Sequence, residues 1–347
     1  MKICLVGKHS NRTPFAYSEY KLLFKESFTY VTRPENADIL IFGFFIDIKE
    51  NIEIIKYSLK MNPQIQIVIL SEEPLWDTLW SPDFTRKKQN VTIEGINIEF
   101  YFLNHETTDI FDFVMFPYFL TTSNDYIVRY HCLFQQNSNL TNTEIRSSLT
   151  TASIDKAFYA EHRLGDKYNV DFPLNDTRGL CSFRTELTLK FQNEDALIVG
   201  RGWEQTQKRQ KLPDWHLDKL ATISYKSRIV SALENTHHPK YVTEKLFDAF
   251  AALTVPIYYA SNDHRVKKLV DDGSYINVFN FSIDEAELSV HQFEVSDEFI
   301  SLYKGQQSKL AKLFSDYNAL NRERRTVVQK VLNELTIINT LPISISV

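Results

Sequence analysis

Two glutamates and a lysine are the first residues to test for chemistry. Glu72 and Glu73 stand in Ser71-Glu-Glu-Pro74, directly after the apolar run Ile65-Gln-Ile-Val-Ile-Leu70. Such a run reads as a buried strand, and open parallel sheets bind ligands beyond the carboxyl ends of their strands. A carboxylate there can take the proton of a hydroxyl as its oxygen attacks another group; a purely structural role is the competing reading for either glutamate. Lys245 ends the string Tyr241-Val-Thr-Glu-Lys245, ahead of Leu246, Phe247 and Phe250 at helical spacing. With Thr243 as N-cap, Glu244 and Lys245 fall in the first turn, where unpaired backbone N–H groups and the helix dipole favour an anion. A lysine at that end runs against the usual preference for acids, and a phosphate held between it and the helix end would account for it. The competing reading is a surface lysine paired with Glu244 or Asp248.

The elements that must position these residues follow from periodicity. Ile229 to Leu233 reads as a buried strand, Asn235 to Val242 as a polar loop, Thr243 to Leu253 as a helix and Val255 to Tyr259 as the next strand. Earlier apolar strands recur at Ile3 to Val6, Asp38 to Phe45, Ile65 to Leu70 and Ile98 to Leu103, with a helical pattern from Ile48 to Leu59. This alternation predicts mostly parallel sheets with helices on their faces. Residues 121–153, rich in Ser, Thr, Asn and Gln, interrupt the pattern and are expected to contain an interdomain connection. A second α/β series then runs from Ala157 through Leu197-Ile-Val-Gly200 to Phe281. The expected division is an N-terminal Rossmann-like domain over 1–150, a second over 151–300 and a helical tail over 301–347. In the tail Leu302, Leu310, Leu313, Leu320, Val327, Val331 and Leu335 fall near one side and Arg322, Arg324 and Arg325 on another. A closing helix packed on the body explains this pattern, and a membrane-surface or dimer contact is the alternative.

Composition narrows the classes. A chain of 347 residues, 43% hydrophobic and 24% charged, suits a globular protein of about two domains. A net charge of −5 argues against a nucleic-acid binder. Cys4, Cys132 and Cys181 are widely spaced and form no C-x-x-C pair, as expected of buried free thiols in a reducing compartment. The opening Met-Lys-Ile-Cys-Leu-Val-Gly is a short strand without a secretory apolar region or a membrane span, so a cytoplasmic protein is expected.

The stretch from residue 220 to 282 resembles the donor-binding signature of the α-1,3/1,4-fucosyltransferase family. The resemblance rests on Tyr225-Lys226, Glu234-Asn235-Thr236, Tyr241-Val-Thr-Glu-Lys245 and Val255-Pro-Ile-Tyr258, and it continues into Asn277-Val-Phe-Asn-Phe281. It implies a GT-B architecture, two Rossmann-like domains facing across a cleft, and a bacterial-type enzyme that moves L-fucose with inversion from GDP-β-L-fucose to a hydroxyl of a GlcNAc-like residue. The implied acceptor is a surface glycan, oligosaccharide or lipid-linked, and peripheral contact with the inner membrane through the C-terminal helix would then be useful. Another GDP-sugar donor, or a catalytically silent nucleotide- or glycan-binding module, remains the alternative.

Carried over by position, the family's base lies in a Glu-x-Pro-like element, which puts Glu72 in that role with Glu73 in reserve. Arg184, in Ser182-Phe-Arg-Thr-Glu-Leu187, matches an arginine that precedes a helix in the family's donor domain, and with Lys245 it would hold the diphosphate. Asn235, Tyr241 and Glu244 match positions that contact ribose, base or sugar, and Lys226 matches a lysine beside the donor strand. No Asp-x-Asp occurs in the chain, and His237-His238 has no third ligand at useful spacing, so turnover without a divalent ion is expected.

Overall fold

The computed structural model describes residues 1–81, 83–203 and 212–341, and the last six residues of the expected tail lie outside this set. The chain divides into two compact units, Met1–Asn124 with Asn318–Val347, and Asp125–Tyr317.

The first unit is built on strands β1 (Lys2–Leu5), β2 (Thr29–Tyr30), β3 (Ile39–Phe42), β4 (Gln66–Leu70), β5 (Lys88–Ile93) and β6 (Ile96–Leu103), in the order β2-β1-β3-β4-β6-β5. All neighbours are parallel except the β5–β6 hairpin. Every residue of β3 and β4 is buried, as a central parallel strand covered on both faces requires. β3 ends at Phe42, earlier than its apolar run, because the chain turns at Gly43 against the loop after β1. A Cβ at Gly43 would lie 1.9 Å from the His9 carbonyl oxygen. The helix expected over 48–59 is two helices, Phe45–Glu50 and Ile52–Met61. They break at Asn51, whose side-chain amide donates to the Asp47 carbonyl at 2.8 Å and so competes with the helical ladder.

The second unit carries β7 (Ile154–Tyr159), β8 (Asp171–Phe172), β9 (Thr177–Gly179), β10 (Ala196–Val199), β11 (Ser227–Ser231), β12 (Thr236–His237), β13 (Val255–Tyr258) and β14 (Ile276–Asn277). Its main sheet, β10-β7-β11-β13-β14, is parallel throughout, and β12-β9-β8 form a small antiparallel sheet. Numbering the parallel strands of each unit in chain order gives 2-1-3-4-5 in both, the doubly wound order whose switch point lies between its first and third strands. The α/β class and the two Rossmann-like units therefore hold.

The expected boundary at residue 150 falls instead at 124. Residues 121–153 do contain the passage between the units, at 124, but most of the stretch forms the helices Asn124–Ser138 and Asn142–Thr150. Their polar residues are structural: Thr141 and Glu144 form a capping box, and buried Asn137 donates to the Ala251 carbonyl at 3.0 Å and the Gln307 side-chain oxygen at 3.1 Å.

The tail is not a separate domain either. Helix Asp297–Ser315 belongs to the second unit, whereas helix Tyr317–Thr340 packs into the first. Val327, Val328, Val331, Leu335 and Ile338 lie in one core cluster with Ile3, Phe15, Ile41 and Leu103. The apolar side of this helix is thus packed on the body, as expected of a closing helix. Arg324 is not on the outer face with Arg322 and Arg325; it is buried and its Nε donates to the Thr121 carbonyl at 2.9 Å. Among the described residues no helix is long and apolar enough to cross a membrane. Cys4 and Cys181 are buried free thiols as expected, but Cys132 is exposed, since its turn of the helix Asn124–Ser138 faces away from Ile127, Tyr130 and Phe134.

Candidate donor site and base

The donor cluster grows from the carboxyl end of β11. Helix Glu244–Ala251 forms because Leu246, Phe247 and Phe250 share a face that is fully buried. Thr243 takes the N-cap position, but its side chain does not cap. A buried carboxylate does so instead. The Thr243 N–H donates to Glu234 Oε1 at 2.8 Å, and the Thr243 hydroxyl lies 2.8 Å from both Glu234 oxygens.

Lys245 Nζ donates to Glu234 Oε2 at 2.8 Å and to Thr243 Oγ1 at 2.9 Å, with Glu244 Oε1 at 3.8 Å. Its main partner is therefore Glu234, not Glu244 or Asp248. Asp248 is taken by His216 and Lys219 on the other side of the helix. Burial raises the Glu234 pKa and Lys245 opposes that rise. Burial also works against the charge on Lys245, but the neighbouring Glu234 carboxylate overcomes it and leaves the ammonium pKa above its ordinary value. Glu234 lay inside the quoted motif; its position directly after a strand and before a helix start was the signal that it caps that helix.

Arg184, in the helix Cys181–Lys190, is only 6% exposed. Its Nη1 donates to the Leu233 carbonyl at 3.2 Å and its Nη2 to Cys181 Sγ at 3.8 Å, while Nε has no partner. Its charge acts on Lys245, so two cations converge here. Asn235, Tyr241 and Glu244 are buried in the same loop and helix start; the Asn235 carbonyl accepts from the Leu180 N–H at 2.9 Å, which ties the loop to the arginine helix. Lys226 does not join them. It precedes β11, at the amino end of the sheet, where it is exposed and its Nζ donates to the Ala221 carbonyl at 2.9 Å. A ligand beyond the carboxyl ends is out of its reach by the length of the strand.

The sequence pattern missed the small sheet beside this loop. β12 pairs with β9, which buries His237 and places its Nε2 3.0 Å from Asp176 Oδ1 and its ring against His264. Thr236 Oγ1, His237 Nδ1, Tyr258 OH, Arg178 Nε and Arg184 Nε are all buried without a partner. Buried polar groups in folded proteins are nearly always bonded, so five orphans around one set of strand ends mark a place where polar ligand atoms or water belong. Among the described residues no three His, Cys, Asp or Glu side chains gather closely enough to hold a metal ion.

The carboxylate pair lies in the first unit, directly after β4. Glu72 is 4% exposed. Its Oε1 accepts from Arg12 Nε at 2.8 Å and from the Tyr17 hydroxyl at 2.7 Å, and its Oε2 lies 2.9 Å from the same hydroxyl and 3.1 Å from that of Tyr118. Arg12 Nη2 donates to Glu73 Oε2 at 2.8 Å, so one guanidinium spans both glutamates. Burial raises the Glu72 pKa, and Arg12 with Tyr17 limits the rise. Arg12, Tyr17 and Tyr118 were not singled out from sequence, because each lies remote along the chain and carries no local motif.

The family model for glycosyltransferase family 10 (fucosyltransferase), C-terminal part, matches residues 196–336. A solved α1,3-fucosyltransferase with GDP-fucose is 16% identical, with 99% of this chain and 91% of that chain covered and a TM-score of 0.47. An α1,3-fucosyltransferase with GDP is 15% identical over 99% and 93%, TM-score 0.46. Anabaena HepE in complex with UDP-glucose is 9% identical over 97% and 100%, TM-score 0.40. No curated protein matches the sequence. Residues 196–336, which carry the loop and helix start described above, are thus similar to the C-terminal part of glycosyltransferase family 10, the fucosyltransferases.

Proposed function

We propose that the protein transfers L-fucose from GDP-β-L-fucose, with inversion, to a hydroxyl of a GlcNAc-like residue in a surface glycan such as a lipopolysaccharide O-antigen or a Lewis-type structure, the α-1,3 linkage being the preferred product. The observation that carries this reading is the convergence of two cations, buried Arg184 on the helix Cys181–Lys190 and half-buried Lys245 at the start of the helix beyond β11. Two positive side chains and a helix N-terminus are the means of holding a leaving diphosphate without a metal ion.

In this mechanism Glu72 accepts the proton of the acceptor hydroxyl while that oxygen forms its bond to the anomeric carbon. The bond from that carbon to the diphosphate breaks on the opposite side, and the negative charge passes to GDP, where Arg184, Lys245 and the helix N–H groups stabilise it. Asn235, Tyr241 and Glu244 shape the pocket for ribose, base and sugar. A raised pKa suits Glu72 to the role, and the tyrosine hydroxyls on its oxygens occupy sites that an acceptor hydroxyl can take over. Glu73 supports a second reading, because its side chain is 13% exposed against 2% for Glu72.

Isothermal titration with GDP, UDP and GDP-fucose tests the donor, and kinetics of Glu72→Gln and Glu73→Gln test the base. GDP-selective binding is expected, with Glu72→Gln losing on the order of 100-fold or more in turnover while keeping its GDP affinity. Binding of UDP alone overturns the donor assignment, and loss of turnover confined to Glu73→Gln moves the base by one residue. Activity is expected to survive chelator; its loss there with recovery on adding Mn²⁺ would overturn the metal-free reading.

A further inference from the structure

The first unit contains a cavity of about 690 Å³, within the size range of small-molecule sites. Its place follows from topology. His9 and Arg12 come from the segment after β1, Phe44 and Phe45 follow β3, and Trp76, Asp77 and Trp80 follow β4. β1 and β3 are the strands between which the order of this sheet reverses, and the crevice beyond their carboxyl ends is where open parallel sheets bind ligands. Gly43 permits it, since its missing side chain lets the loop after β1 lie against the start of the next helix.

The walls are aromatic: Phe44, Phe45, Trp76, Trp80, Phe100 and Phe102. Trp76 and Trp80 meet edge to face, with centroids 5.5 Å apart, and Trp80 keeps 40% of its surface exposed. The rim is not apolar. Arg12, Lys49, Asp77 and Gln89 also line the space. An acyl chain offers nothing to such groups, whereas a pyranose presents one face of C–H bonds to an aromatic ring and an edge of hydroxyls to polar side chains. Asp77 is buried and burial pushes its pKa up to about 7, so near neutral pH its carboxyl can give as well as accept a hydrogen bond. Arg12 touches the cavity and bonds both Glu72 and Glu73, which places whatever fills the cavity beside the carboxylate pair.

We infer that this cavity holds one pyranose ring of the acceptor glycan, stacked on Trp80 and Trp76 with Asp77 at its hydroxyl edge. Trp76, Trp80 and Asp77 are then positioning and specificity residues for the acceptor, and this inference rests on the transferase reading above.

Saturation-transfer NMR with N-acetyllactosamine as the probe tests it, with GDP titration on the same samples. The parent protein is expected to transfer saturation to the C–H protons of one ring face. Trp80→Ala should weaken the sugar about tenfold, the order expected for one lost aromatic contact, and leave GDP affinity unchanged. Trp80→Phe, which keeps a ring at this partly exposed position, should retain most of the binding, and Asp77→Asn should alter the pH dependence of sugar affinity. Absence of transfer in the parent protein, equal binding by Trp80→Ala, or displacement of the sugar by a dodecyl chain would overturn the assignment. Failure of the parent protein to bind GDP would instead sink the donor reading, so the two failures are distinguishable.

Discussion

At the residue scale the decisive fact about Glu72 is its company. Burial raises its pKa, and the Arg12 cation opposes that rise. A base must be ionised, so activity should fall as pH drops through the Glu72 pKa. Removing Arg12 takes away the stabilising charge, raises that pKa further and moves the acid limb of kcat/KM to higher pH. A pH–rate profile of Arg12→Ala checks the sign, and a limb that stays put or moves down would remove Glu72 from the base role. Lys245 has two duties that can be separated. Its loss leaves the buried Glu234 carboxylate without its cation, at a cost of about 3 kcal/mol or more in stability. The double variant Lys245→Met with Glu234→Gln should recover much of that stability, read by urea unfolding, and still bind GDP at least about tenfold more weakly than the parent.

The helix Glu244–Ala251 shows how an element carries a site on one end and an anchor on its flank. Asp248, fully buried, receives His216 Nε2 at 2.6 Å, Lys219 Nζ at 2.8 Å and the Tyr130 hydroxyl at 2.6 Å. The Tyr130 hydroxyl also lies 3.3 Å from the Glu244 carbonyl, which links the anchor to the first turn. Burial opposes the charge on Asp248, but Lys219 and His216 prevail and hold its pKa well below the usual carboxylate range. A depressed carboxylate pKa contributes stability that is present above the unfolded value and lost as pH falls through the folded one. Asp248→Asn is therefore expected to cost about 3 kcal/mol near neutral pH, and the difference from the parent should shrink in acid below the ordinary carboxylate range. Equilibrium unfolding at several pH values measures this, and a cost that is constant with pH would mean the carboxylate is not charged in the folded protein.

On the scale of the whole molecule, the chain leaves its first unit at residue 124 and returns to it at 318. The returning helix Tyr317–Thr340 supplies Val327, Val331, Leu335 and Ile338 to the core around β1 and β3. Folding of the first unit therefore waits on residues more than 200 positions beyond its last strand, a long closure whose entropy grows only slowly with length. Leu335→Ala should destabilise the protein by roughly 2–5 kcal/mol, as for other fully buried leucines, and truncation after Tyr317 should leave the first unit unable to unfold cooperatively. Thermal and urea transitions of the two variants check this; a truncated chain with the parent's transition would show the helix to be dispensable.

Local apolar periodicity was enough for β1, β3, β4, β6, β11 and β13, the parallel α/β class and the helix that carries Lys245, whereas the short strands β2, β8, β9 and β12 carry too few residues to show a period. The sequence also brought Arg184, Asn235, Tyr241 and Glu244 under attention through an ordered string of residues in one short stretch. Tertiary structure alone decided the rest. That Arg12 bridges Glu72 and Glu73 is a matter of which distant groups meet, and pairing across 60 residues leaves no mark on composition or spacing, while the partner of Lys245 and the end of β11 at which Lys226 stands depend on how the loop and strand are placed. The passage between the units does lie in the polar stretch 121–153, but that two helices fill the rest of it shows only once the buried partners of residues such as Asn137 are seen. The aromatic cavity was likewise invisible, since its lining comes from separate stretches between His9 and Phe102 and only the winding of the sheet, with its reversal between β1 and β3, brings them to one place.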